Sequence, residues 1–222
     1  MPTWMSISFQ DSTSPTMEQL LFFHDHSMIV LILIIVMTLH LLGSIIINKT
    51  FHKFMMEGQE IETIWTILPA VLLLFIALPS MKTLYLMEDT KSPSMTIKVN
   101  GHQWYWSYEY SSFKDSEVDM FMENSNTYRL LKTSDIVYIP ILASTRALIT
   151  SSDVIHAWTV PSMGVKVDAL PGRLNQTFIS SKRLGLFSGQ CSEICGMNHS
   201  FMPIMLQSVS VKEFISKMKE ES

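Results

Sequence analysis

Hydrophobic positions follow two different rules along this chain. From Ser27 to Ile47, 21 residues pass without a formal charge, apart from any proton on His40. At ~1.5 Å rise per residue, a helix of that length spans roughly 30 Å, the thickness of a hydrocarbon core. A second run, Ile64 to Met81, is broken only by Pro69 and Pro79 and is followed by Lys82. Prolines are tolerated in membrane helices because neighbours satisfy the freed carbonyl. Two buried core helices of a soluble protein would also be apolar, but the length and charge depletion favour membrane spans. The pattern predicts a helical hairpin, with spans near residues 27–47 and 64–86, inside an N-terminal segment covering residues 1–91.

Past Asp89 the long runs give way to short alternating ones. Met95 to Val99, Trp104 to Tyr110, Ile136 to Ile141, Arg146 to Thr150 and Gln176 to Ile179 read as strands. Turn formers such as Asn100-Gly101, Pro161-Ser162, Pro171-Gly172 and Ser188-Gly189 separate them. Short strands in this number predict an antiparallel sandwich or barrel over residues 92–222. In the tail, Val211, Phe214, Ile215 and Met218 recur at the period of a short amphipathic helix.

Charge orients these parts. No lysine or arginine precedes Lys49, so the first run lacks the positive n-region of a cleaved signal peptide and is expected to stay as an anchor. Asp11, Glu18 and Asp25 lie on one side of it, Lys49 and Lys53 on the other. The positive-inside rule then puts the connection between spans on the cytosol-like side, with both termini and the β domain opposite. The whole chain carries a formal net charge of −4, yet residues 92–222 hold twelve acidic and twelve basic side chains. Within that balance, Glu109, Asp115, Glu117, Asp119 and Glu123 face only Lys114. This is either a solvated loop or a docking face for a basic partner. No glycine-rich phosphate loop, serine triad or nucleic-acid-binding pattern occurs.

The candidate chemistry is concentrated in one stretch, Cys191-Ser192-Glu193-Ile194-Cys195-Gly196-Met197-Asn198-His199-Ser200-Phe201-Met202, which holds the only two cysteines. Disulfide scaffolds scatter their cysteines to close long loops. Two thiolates, an imidazole and a thioether in one loop instead form a soft-donor set, which selects copper or zinc over magnesium or calcium. A mononuclear blue-copper site uses one cysteine and two histidines, leaving a thiolate over; two thiolates can bridge two coppers if another histidine joins. His156, in the strand-like segment Asp153 to Trp158, is the best candidate. A reversible disulfide or a Cys2His2 zinc site remains open from these residues alone, although zinc has no need of Met202. The other methionines, of 17 in all, read as apolar packing.

With these residues in hand, the chain closely resembles the subunit 2 family of mitochondrial cytochrome c oxidase, the haem-copper terminal oxidase. The resemblance rests on Gly101-His102-Gln103-Trp104-Tyr105-Trp106-Ser107-Tyr108-Glu109-Tyr110, on Asp168 to Gln176, on Gly189 to Pro203 and, in the membrane part, on Glu62 to Ala70. It implies a two-helix transmembrane hairpin plus an all-β cupredoxin-like Greek-key barrel, and a subunit that passes single electrons from cytochrome c to haem in catalytic subunit 1, where oxygen is reduced to water. It implies two copper ions on His156, Cys191, Cys195, His199, Met202 and the Glu193 carbonyl, with the Glu193 carboxylate on a magnesium shared with subunit 1. Trp104 matches the aromatic that first receives the electron, and Glu62 the mouth of a proton channel. Glu109, Asp115, Asp119 and Asp153 are the docking candidates, although the stretch from Glu117 to Arg129 departs from many relatives. The implied location is the mitochondrial inner membrane, with the termini and copper domain in the intermembrane space. A membrane-anchored copper chaperone is the rival reading; it is expected to have one anchor and an α/β domain. A quinol oxidase subunit would share the architecture but lack the cysteine cluster.

Overall fold

In a computed structural model, residues 7–50, 52–54, 56–89, 92–111 and 117–220 are described. They form two compact units: one from Gln19 to Met87, the other comprising the residues up to Glu18 and those from Glu88 onward.

The first unit consists almost entirely of α1 (Pro15–Ile47) and α2 (Gln59–Glu88). Both are long and apolar enough to cross a membrane. Leu31, Ile32, Leu41 and Ile45 on α1 and Ile64, Leu73 and Phe75 on α2 are all at least 46% exposed. A helix that is apolar all round and bare of protein needs lipid or partner helices around it. α2 runs through Pro69 and Pro79. A proline cannot bond the carbonyl four residues earlier, and for Pro79 that carbonyl belongs to Phe75. His26 of α1 supplies the missing donor, with its Nε2 3.1 Å from the Phe75 oxygen.

Both helices extend beyond the charge-free runs. α1 begins at Pro15 because Ser14 caps it, its Oγ accepting the Met17 N–H at 3.0 Å, with proline at the first helical position. α2 begins near Glu60 and Glu62, acids favoured at a helix N-terminus.

The second unit is a β sandwich. One sheet has β1 (Met95–His102), β2 (Tyr105–Tyr110), β3 (Val118–Met120), β5 (Thr145–Ser151) and β8 (Asn175–Ile179), in the order β3-β2-β1-β5-β8. A second holds β4 (Val137–Pro140), β9 (Gly185–Gln190) and β10 (Pro203–Val209), in the order β4-β10-β9. β6 (His156–Val160) and β7 (Val165–Ala169) form a hairpin. Strands β1 and β5 alternate buried and half-buried residues, the mark of one covered face. The β1–β5 and β4–β10 pairs run parallel, so the sandwich is mixed and not purely antiparallel. α3 (Val211–Glu220) closes the chain with Phe214 and Met218 buried.

The short N-terminal stretch belongs to this β unit. Thr13 donates its N–H to the Ser162 carbonyl at 2.9 Å and accepts from Lys182 at 2.7 Å. Ser14 Oγ donates to the Met163 carbonyl at 2.6 Å, Lys182 pairs with Glu18, and Met17 is buried.

Candidate metal centre

Residues 191–202 connect the antiparallel strands β9 and β10, whose last paired residues are Gln190 and Pro203. The Cys191 N–H reaches the Met202 carbonyl at 3.4 Å and closes the base of the loop, while Ser192 N–H bonds the Ala157 carbonyl at 3.1 Å. That second bond fastens the loop to β6, where His156 stands with its side chain fully buried. A strand buried at every position gives a ligand little freedom to swing.

The donor atoms converge. The Cys191 and Cys195 sulfurs are free thiols 4.0 Å apart. His156 Nδ1 lies 3.9 Å from the Cys191 sulfur; His199 Nδ1 lies 3.5 Å and Met202 Sδ 3.4 Å from the Cys195 sulfur. The Glu193 carbonyl lies 3.3 Å from the Cys191 sulfur, while the residue itself is exposed. Among the described residues, His156, Cys191 and Cys195 are the cluster of histidine, cysteine and carboxylate groups close enough to share an ion.

Electrostatics prepare one thiol more than the other. Burial opposes ionisation of Cys191, but hydrogen bonds from His156 and from backbone N–H groups outweigh it, and its pKa falls. Burial and the neighbouring Cys191 charge push Cys195 up. For His156, burial is outweighed by hydrogen bonds to Cys191 and Asp153, so its pKa rises.

Close backbone approaches hold this arrangement. A Cβ at Gly101 would come within 2.8 Å of His156 Cδ2, and one at Gly189 within 1.8 Å of the Thr159 carbonyl oxygen. Gly196, at φ +125°, would bring a Cβ to 3.1 Å from Trp104 Cζ2. The Trp104 indole therefore lies against the loop beside Cys195. Gln103 adds a hydrogen bond from its Nε2 to the Cys195 carbonyl at 2.8 Å.

The remaining candidates are dispersed. Glu109 is paired with Lys98 at 3.0 Å across β1 and β2, an exposed pair contributing at most about 1 kcal/mol. Asp119 is exposed on β3. It, Glu117 and Asp153 all act electrostatically on Tyr105, whose pKa is raised by burial first and by those acids next. Asp115 lies outside the described residues. Glu62 is exposed on the first turn of α2. Sequence reasoning placed Gln103 in a motif without a role and missed both its contact with the loop and the inward contact of Asp153. The Asp153-x-x-His156 spacing was the available signal for the last.

Comparison with known proteins identifies the family of both parts of the chain. The family model described as the cytochrome c oxidase subunit II periplasmic domain matches residues 95–209, and the model of its transmembrane domain matches residues 2–83. Cytochrome c oxidase subunit 2 of Sympetrum striolatum is 51% identical over all of this chain and 99% of its own length. That of Drosophila melanogaster is 53% identical over 97% of this chain and 96% of its own. Among solved structures, the periplasmic domain of subunit II of cytochrome oxidase from Bradyrhizobium japonicum superposes with a TM-score of 0.58 at 42% identity, covering 60% of this chain and 96% of that one. The β unit is thus the cupredoxin-like domain that the resemblance implied, and the two apolar helices are its membrane anchor. On matches across both parts of its length, the chain belongs to the cytochrome c oxidase subunit 2 family.

Proposed function

We propose that His156, Cys191, Cys195, His199 and Met202, with the Glu193 carbonyl, hold two copper ions that accept single electrons from reduced cytochrome c. As a member of its family the chain is a subunit of cytochrome c oxidase, an oxidoreductase complex, and electron input is that family's role. The observation that carries the copper reading is a pair of buried sulfurs 4.0 Å apart, flanked by two imidazole nitrogens and a thioether. This donor set fits soft-metal binding and exceeds what zinc requires. When bound by these residues, copper would supply one-electron storage, with the charge change shared between the metal and the Cys191 and Cys195 sulfurs.

The protein's own part is to hold and to guide. Buried β6 and the loop closed by Cys191 and Met202 keep the donors still. Trp104, against Gly196, offers the aromatic contact through which the electron comes in. Asp119, Glu109, Asp115 and the exposed edge of Asp153 attract the basic face of cytochrome c. Glu193, with its carbonyl inward and its carboxylate exposed, suits a magnesium shared with catalytic subunit 1, which carries the haem. Lys49 and Lys53 favour the matrix side for the helix connection. The termini and copper domain then face the intermembrane space across the mitochondrial inner membrane, and Glu62 lies where protons enter.

The reading is tested by loading residues 92–222 with copper. Two coppers sharing one unpaired electron in paramagnetic resonance support it; one copper, or none with a Cys191–Cys195 disulfide, sinks it. Met202→Leu is expected to retain the metal and shift its redox potential, since a thioether is a weak ligand. Loss of all copper in that variant would contradict this. Raising ionic strength from 0.01 M, where the Debye length is about 30 Å, to 0.1 M, where it is about 10 Å, should slow cytochrome c oxidation. A rate flat in salt would remove the acids from the account.

A further inference from the structure

We propose that Asp153 is a positioning residue for electron input, locking His156 and the Gln103-Trp104 turn into one register beside the sulfur pair. Its two oxygens are divided between these elements. Oδ1 lies 2.8 Å from His156 Nε2, and Oδ2 accepts the Gln103 N–H at 2.6 Å. The Val154 N–H adds a bond to Oδ1 at 2.6 Å. With Nε2 facing a carboxylate and Nδ1 facing Cys191, the ring is fixed in the orientation a metal ligand needs, and the Nδ1 lone pair becomes available once the proton it shares with Cys191 is displaced.

Gln103 completes the circuit. Its backbone is held by Asp153, and its side chain donates to the Cys195 carbonyl at 2.8 Å. Hydrogen bonds therefore run from His156 through Asp153 and Gln103 to Cys195, joining the two distant parts of the donor set. Trp104 is the next residue and lies against Gly196. An acid that served docking alone would spend its oxygens on water, whereas Asp153 keeps only 31% of its side chain exposed. Moving Asp153 would thus disturb a donor, the turn that carries the indole, and their spacing together.

The spectroscopic test rests on the copper reading above; the exchange test does not. In the assembled oxidase, D153N replaces one acceptor oxygen by a donor that opposes either His156 or Gln103, and it removes a negative charge beside the ring. The expected result is an altered copper spectrum, an upward-shifted redox potential and a lower kcat at saturating cytochrome c. D119N should raise KM and leave spectrum and potential unchanged. Hydrogen exchange on the full chain should show faster exchange at Gln103 in D153N and not in D119N. D153N behaving as D119N in these measurements overturns the proposal. If D153N strips the metal, D153E decides: copper regained with a shifted spectrum supports the proposal, while copper still lost, or regained with the parent spectrum, overturns it. A parent protein without the shared-electron signal sinks the copper reading alone, and the Gln103 exchange comparison still decides the role of Asp153.

Discussion

Cys195→Ser is expected to abolish the two-copper signal and cut cytochrome c oxidation by more than about 100-fold. Losing a group that merely orients a ligand already costs roughly 10–100-fold in metal affinity or activity, and Cys195 is placed deeper than that. Its sulfur lies 3.5 Å from His199 Nδ1, 3.4 Å from Met202 Sδ and 4.0 Å from the Cys191 sulfur. A hydroxyl is a harder donor and remains protonated at neutral pH, so it cannot replace a bridging thiolate. The substitution changes volume little, so the sandwich should persist. Copper per chain by atomic absorption, paired with thermal unfolding of the same sample, separates the two effects. Two coppers retained by the variant would contradict the bridging role.

Gly189→Ala should be the most damaging single methyl group in the β unit. The added Cβ would stand 1.8 Å from the Thr159 oxygen and 2.9 Å from its carbonyl carbon. Both are backbone atoms and cannot rotate away. β9 and β6 must then separate, and these strands lead into Cys191 and out of His156 respectively. Overpacking commonly costs about 1–3 kcal/mol; a collision with fixed backbone should exceed about 3 kcal/mol, the range reserved for special mechanisms. Gly172→Ala provides the contrast. That position has φ +75° with nothing within 4 Å, so its cost is the left-handed backbone alone, about 1–2 kcal/mol. Denaturant unfolding of residues 92–222 measures both. Gly189→Ala within about 1 kcal/mol of the parent would show that the two strands can part cheaply.

Much of this was legible because hydrophobic spacing and donor type are local properties. The apolar runs announced α1 and α2, and alternation announced β1, β2, β4, β5 and β8. α1 begins twelve residues before the charge-free run, at Pro15 behind the Ser14 cap, because Glu18 and Asp25 lie inside the helix and interrupt the absence of charge that marks the rest of it. β3, β7, β9 and β10 were missed for other reasons. β9 and β10 hold consecutive buried residues, so period two is faint there, and β3 has only three residues; β7 alternates cleanly through Lys166 and Asp168, but over five residues only. The parallel pairings were invisible because crossover direction is set by the whole sandwich.

The donor set was legible for the same reason that its support was not. Cysteine, histidine and methionine in one loop are conspicuous by type. Gln103 and Asp153 are ordinary residues until the fold brings them 2.6 Å apart, 50 positions from one another in sequence. Gly101 and Gly189 likewise read as turn or strand glycines, and only the crossing backbones reveal why a side chain is excluded.

The bond from His26 to the Phe75 carbonyl has a consequence for how these sequences can diverge. Pro79 creates an unbonded oxygen in the second helix, and a residue 53 positions earlier answers it. Neither is a sensible choice without the other: the histidine is an expensive polar group beside lipid, and the proline leaves an expensive carbonyl there. The two positions are therefore coupled: a residue with an N–H at position 79 would give the Phe75 carbonyl a donor within its own helix and make the His26 bond redundant, whereas an apolar residue at position 26 would take this donor away.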